Sequence, residues 1–141
     1  MTTETLESVI RYARLKMLED VADKDDKTEA IACKGLIPVY VQEKYHEVGE
    51  VALHPTTGSP KECIMSYDGT VQQDWTIDTP TLWKPWHSRK PEYALPYEAP
   101  TGAHDMYKAG EYMIWTDGVI KKALRDTNFS PEEYPADWED A

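Results

Sequence analysis

The sequence predicts an α+β fold that is mostly β: an N-terminal helical hairpin followed by two small, aromatic-rich antiparallel β modules. Three observations predict it. An apolar helical stripe runs through the N-terminal residues without Gly or Pro. Fourteen of the fifteen aromatic rings lie between Tyr40 and Trp138. Within that span one order of rings, glycine, acid and proline occurs twice.

The helix comes first. Between Glu4 and Val21 the apolar residues Leu6, Val9, Ile10, Ala13, Met17, Leu18 and Val21 fall at spacings of three, four and one, which trace one face of a helix. Thr3 is placed to cap its start, and Glu4 and Glu7 suit the positive end of its dipole. Asp23-Lys24-Asp25-Asp26 reads as a polar turn. Asp26 and Glu29 have capping-box spacing, which predicts a second helix from Lys27 to about Cys33 with Gly35 as its stop. The stripe either packs on the rest of the chain or forms the seam of a homo-oligomer.

The first copy of the repeat runs from Tyr40 through Tyr45-His46-Glu47-Val48-Gly49-Glu50-Val51 to Trp75 and Pro80-Thr81-Leu82-Trp83. The second runs from Tyr97 through Tyr107-Lys108-Ala109-Gly110-Glu111-Tyr112 to Phe129 and Pro135-Ala136-Asp137-Trp138. Strands are expected over 50–53 and 62–65, joined by a Pro/Gly loop, and over 112–115 and 119–124, joined at Asp117-Gly118, a tight-hairpin signal. Modules this small bury apolar area mainly through rings, so Tyr45, Trp83, Tyr107 and Trp138 are expected in their cores. Prolines 85, 91, 96 and 100 predict an extended linker. The organisation is then a helical region 1–35, a first module 36–86, a linker 87–96 and a second module 97–141.

Composition excludes several functions. With 26 Asp+Glu against 15 Lys+Arg the net charge is −11, which opposes binding to nucleic acid or an anionic membrane. No apolar run approaches the ~20 residues of a membrane span, so membrane insertion is not expected. The N-terminus lacks a signal-peptide pattern, and Cys33 and Cys63 make no disulfide framework; synthesis in a reducing cytosol is expected. His46, His54, His87 and His104 have no metal-ligand spacing, and no nucleophile elbow, HExxH or phosphate loop is present. The expectation is a non-enzyme without cofactor or metal. What remains is the rings: a wetted aromatic face stacks on the C–H face of a pyranose and yields about 1.5–2.5 kcal/mol if ~60–100 Å² of apolar surface is covered. Repeated weak sites suit a repetitive polysaccharide.

A family resemblance sharpens this. Tyr97-Glu98-Ala99-Pro100-Thr101-Gly102-Ala103-His104-Asp105-Met106-Tyr107-Lys108-Ala109-Gly110-Glu111 resembles the W-x-x-P-T-G-A-H-D-x-Y-x-x-G-D segment of the chitin- and cellulose-binding modules of carbohydrate-binding families 5 and 12. Asn128-Phe129-Ser130-Pro131-Glu132-Glu133-Tyr134-Pro135-Ala136-Asp137-Trp138 is similar to their N-x-W-S-P-x-x-Y-P-x-x-W ending, with Phe129 in place of Trp. The likeness is specific over 97–138, looser over 36–83 and weak over the helical head. It is closest in kind to such modules in bacteriophage and prophage tail proteins. The resemblance implies a virion tail protein, made in the host cytoplasm, that binds a cell-wall glycan alongside other tail subunits. It places the ligand ring at Trp75 in the first module and Phe129 in the second, and it puts Tyr40, Tyr45, Tyr97 and Tyr107 largely in the cores. Tyr134, Trp86 and Tyr93 are further candidates as neighbours of the ligand rings. The alternative is a structural adaptor of a tail or baseplate that docks on other subunits without binding glycan.

Overall fold

The computed structural model describes residues 2–141 and has the predicted class, a mixed α+β fold with more strand than helix. Helix α1 spans Thr3–Val21 and α2 spans Thr28–Ala32. The cap of α1 is Thr2, one residue earlier than the sequence suggested, its side chain accepting from the Thr5 amide. The cap of α2 is Lys27, one residue later than the capping-box spacing suggested, and Asp26 before it accepts from the backbone and hydroxyl of Thr28 rather than pairing with Glu29. Gly35 is not a left-handed stop. It lies in a 3-10 turn, Lys34–Leu36, that continues directly from α2.

The strands are β1 (Tyr45–His46), β2 (Val51–Leu53), β3 (Pro60–Cys63), β4 (Tyr67–Asp68), β5 (Trp83–Pro85), β6 (Leu95–Pro96), β7 (Tyr112–Ile114), β8 (Ile120–Ala123) and β9 (Trp138–Asp140). They form a β1-β4 pair, a β2-β3-β5 sheet and a β6-β7-β8-β9 sheet, antiparallel throughout except β6 with β7. The short strands explain the ring content: little chain is available per sheet, so each core is closed by large side chains.

The two halves share a set of equivalent backbone bonds. Tyr40 N donates to Leu53 O and Tyr97 N to Ile114 O, both at 2.9 Å. Gly49 N reaches Cys63 O and Gly110 N reaches Ala123 O, again both 2.9 Å. Ile64 N bonds Leu82 O and Leu124 N bonds Asp137 O, both at 2.7 Å, which brings Trp83 and Trp138 to the same place. Gly49 and Gly110 hold φ of +95° and +89°, a region that disfavours any other residue and so marks the same turn in each copy.

That register corrects one assignment. His46, not Tyr45, takes the position of Tyr107: His46 pairs with Tyr67 as Tyr107 bridges Thr127. Neighbours on a strand face opposite sides, so a slip of one residue exchanges core for solvent. His46 is fully buried, while Tyr45 is 59% exposed. In the first module Tyr40 stacks on His46 at 5.0 Å with Trp83 edge-on to both. In the second, Tyr97 stacks on Tyr107 at 5.5 Å with Trp138 edge-on to both.

Residues 87–96 are not a free linker. Ser88 bridges Tyr112, Leu95–Pro96 joins the second sheet as β6, and Arg89 N donates to Thr28 Oγ1 of the helical head. Leu95 and Trp86 are buried with Val21, Ala30, Ile31, Ile37 and Val51 in a core shared by helices and modules. Between the modules, the buried Lys61 ammonium lies 3.1 Å from Glu98, and His104 Nε2 is 3.1 Å from the carbonyl of Pro80. Prolines set the local extension of this segment, but its side chains carry the packing.

Burial pushes the phenols of Tyr40, Tyr67, Tyr97 and Tyr107 above the ordinary value of 10.0. The folded state holds these protons more tightly than the unfolded chain, so the associated stability is intact below pH ~10 and is lost as pH rises above it. In a titration followed at 295 nm, part of the phenolate signal is therefore expected only together with loss of near-ultraviolet circular dichroism. Ionisation of all nine tyrosines with that dichroism retained would contradict the packing described.

Candidate functional site

Each module presents one ring at the residue before the hydroxyl that opens its last turn: Trp75 before Thr76 and Phe129 before Ser130. The Thr76 amide donates to Thr79 Oγ1, and Ser130 and Glu133 exchange backbone-to-side-chain bonds in a capping box. These turns end at Trp83 and Trp138, which are buried. The rings before them are not: Trp75 is 40% and Phe129 52% exposed.

In the second module Tyr134 stands beside Phe129, ring centroids 6.1 Å apart and planes tilted by 38°. Both rings line an open groove of about 480 Å³ together with Met106, Arg125, Asp126 and Asn128. Two of its polar side chains, Arg125 and Asp126, are held in place. Arg125 Nε lies 2.9 Å from the buried Asp137, whose other oxygen accepts from Thr127 Oγ1 at 2.6 Å, and Asp126 accepts from the Ala109 amide. Phe129 is itself fixed by its backbone, its N–H on Thr127 Oγ1 and its carbonyl on Trp138 Nε1 at 2.9 Å. An apolar face flanked by prepositioned donors and acceptors can stack on a ring and bond hydroxyls around it.

In the first module Trp75 tilts over Tyr67, centroids 6.1 Å apart. Its carbonyl accepts from Gln42 Nε2 at 2.9 Å. Gln42 also reaches Gly69 O at 3.3 Å and Gln72 O at 3.4 Å, so a single amide gathers the loop leading to the ring. Exposed Val71 and Val41 adjoin Gln72 and Gln42 in sequence, adding apolar surface on the same loops.

The fourth proposed site residue, Trp86, offers no face to a ligand. It is 3% exposed in the shared core, its indole N–H bonds Glu62 Oε1 at 3.1 Å, and the Lys27 ammonium sits 5.7 Å from its ring centre. Tyr93 is exposed but belongs to the 3-10 turn Pro91–Tyr93, away in sequence from both rings. Sequence reasoning missed Gln42 and Arg125, and met Asn128 only as the first residue of the Asn128–Trp138 stretch. Neither Gln42 nor Arg125 falls in a spacing pattern; only their partners in space mark them out.

The histidines serve the scaffold. Both nitrogens of His54 are engaged, Nε2 with Asp78 and Nδ1 with the amides of Thr56 and Thr57. His46 and His87 use Nδ1 on the equivalent glutamates Glu50 and Glu111, and each Nε2 is buried without a partner. Among the described residues no group of three or more His, Cys, Asp or Glu side chains is arranged to hold a metal ion, and no helix is long and apolar enough to cross a membrane. Compared with known proteins, the chain matches no protein-family model and no curated protein.

Proposed function

We propose that this chain is a non-catalytic polysaccharide-binding protein that engages a host cell-surface glycan through Trp75 on one module and Phe129 with Tyr134 on the other. One observation carries the reading. At the repeated positions Trp83 and Trp138 are buried and Tyr40 and Tyr97 half-buried, while Trp75 and Phe129 are left exposed in both copies. A ring kept wet twice, at the same turn, costs hydrophobic stabilisation in each module and has a use only if something covers it. The groove around Phe129 supplies the polar groups that a sugar requires. Resemblance to carbohydrate-binding modules of phage tails supports assigning the chain to a virion tail, where many copies would add avidity to weak sites.

A second reading, an adaptor that joins tail subunits, is favoured by α1. Its C-terminal half packs on the body through Met17, Leu18 and Val21, with Arg14 Nε bonded to Leu36 O. Nearer its N-terminus, Leu6, Val9, Tyr12 and Leu15 are left about half exposed or more.

Retention on insoluble chitin, cellulose and bacterial cell wall tests the first reading. Trp75→Ala and Phe129→Ala are each expected to weaken retention about tenfold or more, as loss of ~1.5–2.5 kcal/mol implies. Wild-type protein that stays in the supernatant with every wall material would refute it.

A further inference from the structure

We infer that Gln42 is the positioning residue of the Trp75 face, the end of a hydrogen-bond relay that starts at the core indole of Trp83. The inference rests on reading Trp75 as a ligand-stacking ring and adds how the first module holds it.

In the second module the link between core and exposed ring is direct, Trp138 Nε1 to the Phe129 carbonyl at 2.9 Å. Only two positions separate Thr127 from Phe129. In the first module eight positions separate the equivalent Tyr67 from Trp75, so the loop carries the ring beyond reach of the core indole. Trp83 Nε1 instead donates to Tyr67 OH at 2.9 Å. Tyr67 and Tyr40 hydroxyls lie 2.9 Å apart, and Tyr40 OH donates to Gln42 Oε1 at 2.7 Å. Tyr40 has one hydroxyl hydrogen, so Tyr67 must be the donor between the phenols. The Gln42 amide then donates to Trp75 O at 2.9 Å, the same length as the direct bond in the other module.

The indole and the two phenols each donate to one acceptor, and the Gln42 amide makes its shortest bond to Trp75 O, so the order closes without conflict: indole, phenol, phenol, amide, carbonyl. Two phenols and a glutamine replace one contact and span the longer loop. Of the four groups, the amide alone hydrogen-bonds the loop, reaching the carbonyls of Gly69, Gln72 and Trp75. A carboxylate at that position keeps the acceptor for Tyr40 and removes every N–H, which makes Gln42→Glu the discriminating change.

The experiment compares wild type with Gln42→Glu and Gln42→Ala in the full chain. Amide exchange over 70–76, and acrylamide quenching of Trp75 (the difference from a Trp75→Phe chain), report the loop without any ligand. Both variants are expected to exchange about tenfold faster over 70–76, in keeping with loss of the loop's bonds, with Met113 and Ala123 unchanged. Quenching of Trp75 should rise, and retention on insoluble chitin should fall in parallel. Unchanged exchange and quenching in Gln42→Glu would overturn the inference. So would equal chitin retention by wild type and Gln42→Glu when Trp75→Ala is not retained, and in that case the binding reading itself would stand. Faster exchange and greater quenching in Gln42→Glu, with wild type not retained on any polysaccharide, would support the positioning role while removing the binding reading.

Discussion

Trp83→Ala is expected to lower stability by about 3–5 kcal/mol, the usual range for removing a buried Trp, and to unfold the first module before the second. The indole is 1% exposed and meets Tyr40 and His46 edge-on. Its N–H is the donor to Tyr67 OH, so alanine leaves both a cavity and a buried hydroxyl without that partner. The relay to Gln42 would lose its first member. The melting temperature should drop by roughly 10–20 °C for a domain of this size. Trp75→Ala is the control: its ring is exposed, and a change within about 0.5 kcal/mol is expected. Circular dichroism melts of the two variants check both values, and a Trp75→Ala loss as large as that of Trp83→Ala would contradict the division into core and surface rings.

Gly69→Ala is expected to disrupt the same module by a different route. A Cβ at that position would stand 1.8 Å from Gln42 O and 3.1 Å from Lys44 O, both backbone atoms. The approach is close because Gly69 N donates to Lys44 O as β4 leaves its pairing with β1. Nothing flexible can yield there, so the segments 42–44 and 67–69 must part, at a cost of about 3 kcal/mol from overpacking and lost bonds. Gly58→Ala offers a contrast. Its φ is +73° but no atom lies within 4 Å of the added carbon, so only backbone strain of about 1 kcal/mol is expected. Denaturant unfolding of both variants tests the order, and equal losses would show that the close approach at Gly69 is not rigid.

Much of this architecture was readable from residue types. The helical stripe, the Asp117-Gly118 hairpin, with φ of +84° at Gly118, and the paired Gly-Glu turns gave the elements and their duplication. Two errors arose where chemistry differed from position. Matching like with like pairs Tyr45 with Tyr107; counting back from Gly49 and Gly110 pairs His46 with Tyr107, and the fold follows the count. An imidazole can replace a phenol in a stacked core because both are flat and can bond through one edge, here to Glu50. Trp86 was expected beside the ligand rings, yet it is buried with residues of α1, α2, the first module and β6. Such contacts have no local signal. The exposure of Trp75 and Phe129 follows from the turn that each precedes, whereas the Gln42 contacts join residues 27 to 33 positions apart and leave no trace in spacing.

Hydroxyl-radical footprinting of the full chain, free and bound to insoluble wall polysaccharide, reads the central assignment at every ring at once. Trp75, Phe129 and Tyr134 should lose reactivity on binding, while the exposed Tyr45 and Tyr93 should keep theirs. Unchanged reactivity at Trp75 and Phe129 in retained protein, with protection confined to Tyr12 and Leu15 of α1, would place the contact on the helix and contradict glycan binding through the paired rings.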